Sequence, residues 1–195
     1  MAEMTLVHRY TGLPSEECIR ILILEAGIGN EPLRCTLKTC PLHEVECQYE
    51  AISYVWGRPD NVTEIECDGK KLTITISLAE ALRRFRLPSE QRALWADAIC
   101  INQKDDYEKS SQVGKMAKIY QKARRVLCWL GQDDQGIAEV CFDLVKKADQ
   151  EFAEIWQDSW TFDEIPHDLK LADDVMLEWR KIKSMLNLPW FERLW

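Results

Sequence analysis

An α/β domain is the fold class that the sequence predicts: a mostly parallel sheet with flanking helices, an inserted β-hairpin and a C-terminal helical cap. Three observations lead there. Short apolar runs recur at residues 19–24, 50–55, 94–99 and 126–130. Segments of helical spacing separate the later runs and dominate after Asp134, and alternation of strand and helix builds an α/β sheet. Polar residues collect just beyond the apolar runs, at the carboxyl ends where open parallel sheets bind ligands.

Taken in order, IRILIL at 19–24 reads as a strand. Residues 30–46 read as a polar, proline-containing connection, and 50–55 as a second strand. In TEIECDGKKLTIT (63–75), alternating β-branched residues flank Asp68-Gly69. Asp-Gly between alternating hydrophobics is the strongest short-range hairpin signal. Ser77 is placed to cap the helix LAEALRRFR, which ends before Pro88.

Residues 94–99 read as a third long strand. A helix starts at Asp105 or Asp106 with Val113, Met116, Ala117, Tyr120 and Ala123 on one face, and VLCWL (126–130) reads as a further buried strand stopped by Gly131. The remainder reads as helix, interrupted near residues 161–166. Residues 1–17 form a lead-in, 18–150 the α/β core and 151–195 a helical C-terminal part.

Composition sets limits on function. The chain has 195 residues, a net charge of −8, 46% hydrophobic and 30% charged residues, as in an ordinary soluble globular protein. The acidic balance argues against a nucleic-acid surface, which needs clustered Lys and Arg. The pairs Arg83–Arg84 and Arg124–Arg125 are too short to reverse it. No apolar leader precedes residue 18 and no run is long enough to span a bilayer, so a cytoplasmic location is expected.

Most of the eight cysteines sit in apolar runs, where a free thiol acts as a small hydrophobe. Cys35, Cys40, His43 and Cys47 offer zinc-type ligands, but their spacing lacks a tight Cys-x2-Cys knuckle. No metal is assigned.

The candidate site is read from three strand ends. The strand at 50–55 ends in Ser53, Tyr54, Trp56, Gly57 and Arg58; the one at 94–99 carries Asp97, then Cys100, Asn102 and Gln103; the last ends in Gly131, Gln132, Asp133 and Asp134. Asp97 is the odd residue, because an unpaired carboxylate in a buried strand is costly. It either serves a ligand or accepts backbone N–H groups from a neighbouring loop. Glu108 faces the same crevice, yet Asp105-x-x-Glu108 also reads as a variant capping box. Cys100 lacks a nearby base to act as a nucleophile. Trp56, like Trp95, reads first as core and only second as a stacking platform. No Walker loop, GxGxxG, GxSxG or HExxH is present.

With these residues in view, the chain resembles the HET (heterokaryon incompatibility) domain of filamentous fungi. The blocks that carry the resemblance are YEAISYVWG (49–57), CDGKKLTITISLAEALRRFR (67–86) and LWADAICINQKDDYEKSSQVGKMAKIYQKARRVLCWLG (94–131). PWFERLW (189–195) is similar to the family's late Trp/Arg block. Ala96 stands where the family often has a β-branched residue. The family pattern continues beyond Trp195, so the resemblance implies that the helical part is truncated here.

The resemblance implies a trigger of programmed cell death after non-self recognition, working with a sensor domain or partner protein. It also implies a flavodoxin-like layout, through a fold-level likeness to TIR domains, some of which hydrolyse NAD. In that mechanism NAD or a related nucleotide is a substrate and no cofactor is needed. Glu108 or Asp97 supplies the carboxylate that stabilises an oxocarbenium-like state. Asn102 and Gln103 hold ribose hydroxyls, and Trp56 or Tyr54 stacks on a ring. Ser53, Gly57, Arg58 and Cys100 complete the substrate-binding set. The alternative is a non-enzymatic death-inducing module that acts by homo-oligomerisation or partner binding through exposed aromatics such as Trp156, Trp160, Trp190 and Trp195.

Overall fold

The structure, a computed structural model, describes residues 6–134, 136–155 and 173–192. The chain divides into two compact units, residues 1–129 and 130–195.

The first unit is built on a seven-stranded sheet of β1 (Cys18–Leu24), β2 (Arg34–Pro41), β3 (Glu50–Tyr54), β4 (Val62–Cys67), β5 (Lys70–Thr75), β6 (Arg92–Trp95) and β7 (Arg125–Trp129). Their order is β5-β4-β2-β1-β6-β3-β7. The sheet is mixed rather than mostly parallel. β3 runs parallel to both β6 and β7, as expected for the runs at 50, 94 and 126. β1 is antiparallel to both its neighbours, and the β4–β5 hairpin is antiparallel too. β1 is buried along nearly its whole length, which explains its near-continuous apolar sequence.

The Asp68-Gly69 turn forms as read, with φ of 51° and 71°. Positive φ at both central residues is the type I′ requirement. Helix α1 (Ile76–Phe85) follows, burying Leu78, Ala79, Ala81 and Leu82. Its cap is Thr75, whose Oγ1 accepts from the Leu78 N–H at 3.4 Å. Ser77, expected as the cap, instead donates its hydroxyl to the Val55 carbonyl at 2.7 Å.

Four other expectations are corrected. The connection at 30–46 contains a strand, β2, and a 3-10 turn (Leu42–Val45). The apolar run 94–99 is strand only to Trp95; Asp97 opens a short helical turn, α2 (Asp97–Cys100), with Ile99 and Cys100 buried. A continuous apolar run does not by itself separate a buried strand from a buried turn of helix. The helix after Asp105 is two helices, α3 (Asp106–Val113) and α4 (Met116–Lys122), broken at Gly114. Gly disfavours a helix interior. Burial falls on Gln112 and Ile119, leaving Val113 exposed. β7 lies at the sheet edge with Val126 exposed, not buried as expected.

In the second unit, α5 (Ala138–Ile155) and α6 (Asp173–Leu186) contact each other. Cys141, Ile182 and Met185 form their core. No helix among the described residues is long and apolar enough to cross a membrane.

Candidate functional site

Parallel pairing places the carboxyl ends of β3 and β6 at one sheet edge, with Ala51 opposite Trp95. Tyr54 closes β3, and Asp97 follows β6 by two residues. The Asp97 carboxylate gathers three donors. Its Oδ1 accepts from the Tyr54 hydroxyl at 3.0 Å and the Ala98 N–H at 2.8 Å, and its Oδ2 accepts from Trp56 Nε1 at 3.0 Å. Burial, with Asp97 alongside, pushes the Tyr54 hydroxyl well above its ordinary range, so it remains a donor at neutral pH. Trp56 keeps 40% of its surface exposed. Gln103 Nε2 donates to the Asp97 carbonyl at 2.9 Å, and its Oε1 is buried with no partner.

The same edge receives the start of α1. Gly57 turns the chain at φ 74°, and its Cα faces Ser77 closely enough that an added Cβ would sit 3.7 Å from the Ser77 Cβ. Arg58 points away to an exposed pair with Asp60 at 2.9 Å. Ser53 and Cys100 lie in the interior. Burial pushes the Cys100 thiol up to about 12, so it stays protonated and un-nucleophilic near neutrality.

Glu108 belongs to a different hydrogen-bond set. Asp105 caps α3 by accepting the Glu108 N–H at 3.0 Å. The Glu108 carboxylate reaches back to the Asn102 N–H at 2.7 Å rather than to the cap residue's own N–H. Both of its oxygens then meet Arg20 of β1, at 2.5 and 2.9 Å. Desolvation raises the carboxyl, but the Arg20 and Asn102 hydrogen bonds outweigh it and hold Glu108 below its ordinary value. Arg20 also donates to the carbonyls of Cys100 and Thr11, and its guanidinium stands 5.0 Å over the Tyr10 ring. Tyr10 in turn donates to the Ile99 carbonyl at 2.9 Å.

The loop from Asp97 to Asn102 is therefore held from two sides, by Tyr54, Trp56 and Gln103 on one and by Glu108, Arg20 and Tyr10 on the other. Sequence reasoning missed Arg20 and Tyr10. The signal for Arg20 was present, a lone cation inside the apolar strand IRILIL. A cleft of about 300 Å³ lies against Glu108, between Gly12, Ser15 and Glu16 of the lead-in and Tyr107 and Gln112 of α3. That volume is at the small end for ligand pockets, and its charged lining is acidic.

Of the remaining strand-end residues, Asp133 organises the start of α5 within the second unit, accepting the N–H groups of Ile137 and Ala138. Cys35 and Cys40 are five residues apart on β2, about 16 Å in extended chain, so they do not converge with His43 and Cys47 as one metal site. Trp156, Trp160 and Trp195 lie outside the described residues. Trp190 packs edge-on to Phe191, ring centroids 5.1 Å apart.

Comparison with known proteins adds two findings. The model of one family, described as heterokaryon incompatibility protein (HET), matches residues 49–195. The chain is 34% identical over 211 residues to heterokaryon incompatibility protein 6, OR allele, of Neurospora crassa, an alignment covering 91% of this chain and 31% of that protein. The chain thus spans about a third of the length of that curated relative. No solved structure matches it.

Proposed function

The chain belongs to the heterokaryon incompatibility (HET) family, and on that premise we propose that it acts as the effector part of a fungal incompatibility determinant. Its output is programmed cell death after non-self recognition, and a sensor domain or partner protein supplies the recognition. The family match over most of the chain and the name of the Neurospora relative support this reading.

The mechanism we propose is hydrolysis of NAD or a related nucleotide at the Asp97 rim. One observation carries it: a carboxylate at the carboxyl edge of parallel strands lies beside a tryptophan ring that remains 40% exposed. Water adds to the ribose carbon as the bond to nicotinamide breaks, giving ADP-ribose, nicotinamide and a proton. Asp97 stabilises the oxocarbenium-like state, Trp56 stacks on a ring, and Asn102 and Gln103 supply polar heads for ribose hydroxyls. Glu108, held by Arg20, keeps the Asn102 end of the loop in place.

Assembly without catalysis is the competing reading. It is favoured by the fact that every oxygen of both carboxylates already accepts a hydrogen bond from the protein. The test is chromatography of nicotinamide released from NAD by the purified chain, alone and fused to an oligomerising partner. Turnover in wild type that falls at least about a hundredfold in Asp97→Asn supports hydrolysis, in line with the usual worth of a catalytic carboxyl group. Absence of turnover in both formats, with death on expression in fungal cells intact, leaves assembly as the mechanism.

A further inference from the structure

Three ligand-type side chains meet where the lead-in crosses the β4–β5 hairpin, apart from the Asp97 rim. Val7 bridges Lys71 and the His8 N–H donates to the Lys71 carbonyl at 2.8 Å, which fixes His8 over the Asp68-Gly69 turn. His8 Nδ1 lies 3.7 Å from Asp68 Oδ2, and Cys67 Sγ lies 3.7 Å from the same oxygen. One ligand atom from each of the three residues falls within 4.8 Å of the others. Ligands sharing a tetrahedral zinc, at bond lengths of about 2.0–2.3 Å, stand roughly 3.3–3.8 Å apart.

His8 is the independent sign of a ligand. Its side chain is only 6% exposed, yet neither ring nitrogen has a hydrogen-bond partner. Its separation from Asp68 is too long for an N–H···O bond. A metal ion on one ring nitrogen would engage the lone pair that no protein group meets.

The surroundings fit. Asp68 Oδ1 accepts the Leu37 N–H at 3.3 Å, which orients the carboxylate and leaves Oδ2 directed at the cluster, as metal-site carboxylates are commonly held. A cleft of about 190 Å³ bordered by His8, Tyr10 and Asp68, with Arg9, Arg20 and Lys70 also on its wall, gives water access.

We propose that His8, Cys67 and Asp68 bind a zinc-class divalent ion, with a water from the cleft as fourth ligand. The mixed nitrogen, oxygen and sulfur donors suit zinc. Binding releases the Cys67 thiol proton, and the thiolate and the Asp68 carboxylate balance the ion's charge. The ion ties the lead-in to the hairpin. His8 precedes the stretch that the family model matches, whereas Cys67 and Asp68 lie within it.

Titration of the metal-free, full-length chain with Co(II), followed in the near-ultraviolet and visible, tests this. The expected result is saturation at a single Co(II) per chain, with a thiolate-to-cobalt charge-transfer band and tetrahedral d–d bands that zinc abolishes. His8→Gln and Asp68→Asn should each weaken Co(II) by more than ~100-fold, beyond the ~10–100-fold usual for losing an outer-shell partner. Cys40→Ser should leave the titration unchanged. Far-UV circular dichroism checks that each variant is folded, and zinc should raise the melting temperature of wild type but not of His8→Gln. No charge-transfer band in wild type at saturating Co(II), or an unchanged titration in both His8→Gln and Asp68→Asn, overturns the site.

Discussion

Arg20 and Glu108, eighty-eight residues apart in sequence, form a two-pronged ion pair with side chains 2% and 7% exposed. The pair joins the central strand β1 to α3. Removing one partner leaves the other charge buried, which costs about 3–5 kcal/mol. Glu108→Gln and Arg20→Met should each lower urea-unfolding stability by that order. The double variant should cost clearly less than the two singles added, because no lone charge remains. Strict additivity in a double-mutant cycle would show that the pair is not coupled.

At the other end of the parallel strands, Glu50 of β3 accepts from Arg92 of β6 and Arg125 of β7. The two arginines differ in setting, Arg92 being 13% and Arg125 62% exposed. Arg92→Ala should therefore cost about 3 kcal/mol, whereas Arg125→Ala should cost less than ~1 kcal/mol because water screens that pair. Equal losses in thermal melts would contradict this ranking.

Both buried glutamates predict an acid limit. The Arg92 hydrogen bond is the largest influence on Glu50 and lowers it below its ordinary 4.5, with Arg125 adding to the effect. Glu108 is also held below 4.5. A carboxyl with a depressed native value binds protons more readily when unfolded, so stability rises with pH through this range. Their contribution is complete well above pH 4.5 and is lost as pH falls through the lowered native values. Wild-type melting temperature should hold between pH 6 and 7 and drop steeply below about 4.5, the drop being smaller in Glu108→Gln.

Legibility from sequence followed how local each determinant was. The hairpin was readable because Asp68-Gly69 supplies two positive-φ residues between alternating strands. The parallel set β3, β6 and β7 was readable from apolar runs separated by helices. β2 was not, because RCTLKTCP buries only Cys35 and Cys40 firmly and cysteine gives no strand signal. The mixed character of the sheet was not readable either, since it comes from β1, which runs antiparallel to β2 and to β6, and an apolar run carries no sign of strand direction. At the site, Asp97 stood out as a carboxylate in an apolar run, and the Asp105 cap was read from spacing. The partners of Glu108 could not be, since Arg20 and Tyr10 arrive from elements folded against it.

The Asp97 rim separates a residue that holds the carboxylate from one placed to meet a ligand. Tyr54 is buried, and its hydroxyl bond to Asp97 is charge-assisted. Tyr54→Phe should cost about 1.5–3 kcal/mol, the worth of a hydrogen bond to a charged group. Trp56 makes the matching bond from an exposed position, where water replaces the lost donor. Trp56→Ala should cost no more than ~1 kcal/mol. If the rim binds a nucleotide, the ranking reverses for ligand. Trp56→Ala loses a stacking surface worth about 1–3 kcal/mol per base, or roughly five- to 150-fold in affinity. Tyr54→Phe leaves the exposed ring in place and should bind within a few-fold of wild type. Calorimetry with NAD, or with ADP-ribose, set beside urea unfolding of the same two variants reads both rankings. Nucleotide affinity unaltered in Trp56→Ala would remove the rim as the binding surface.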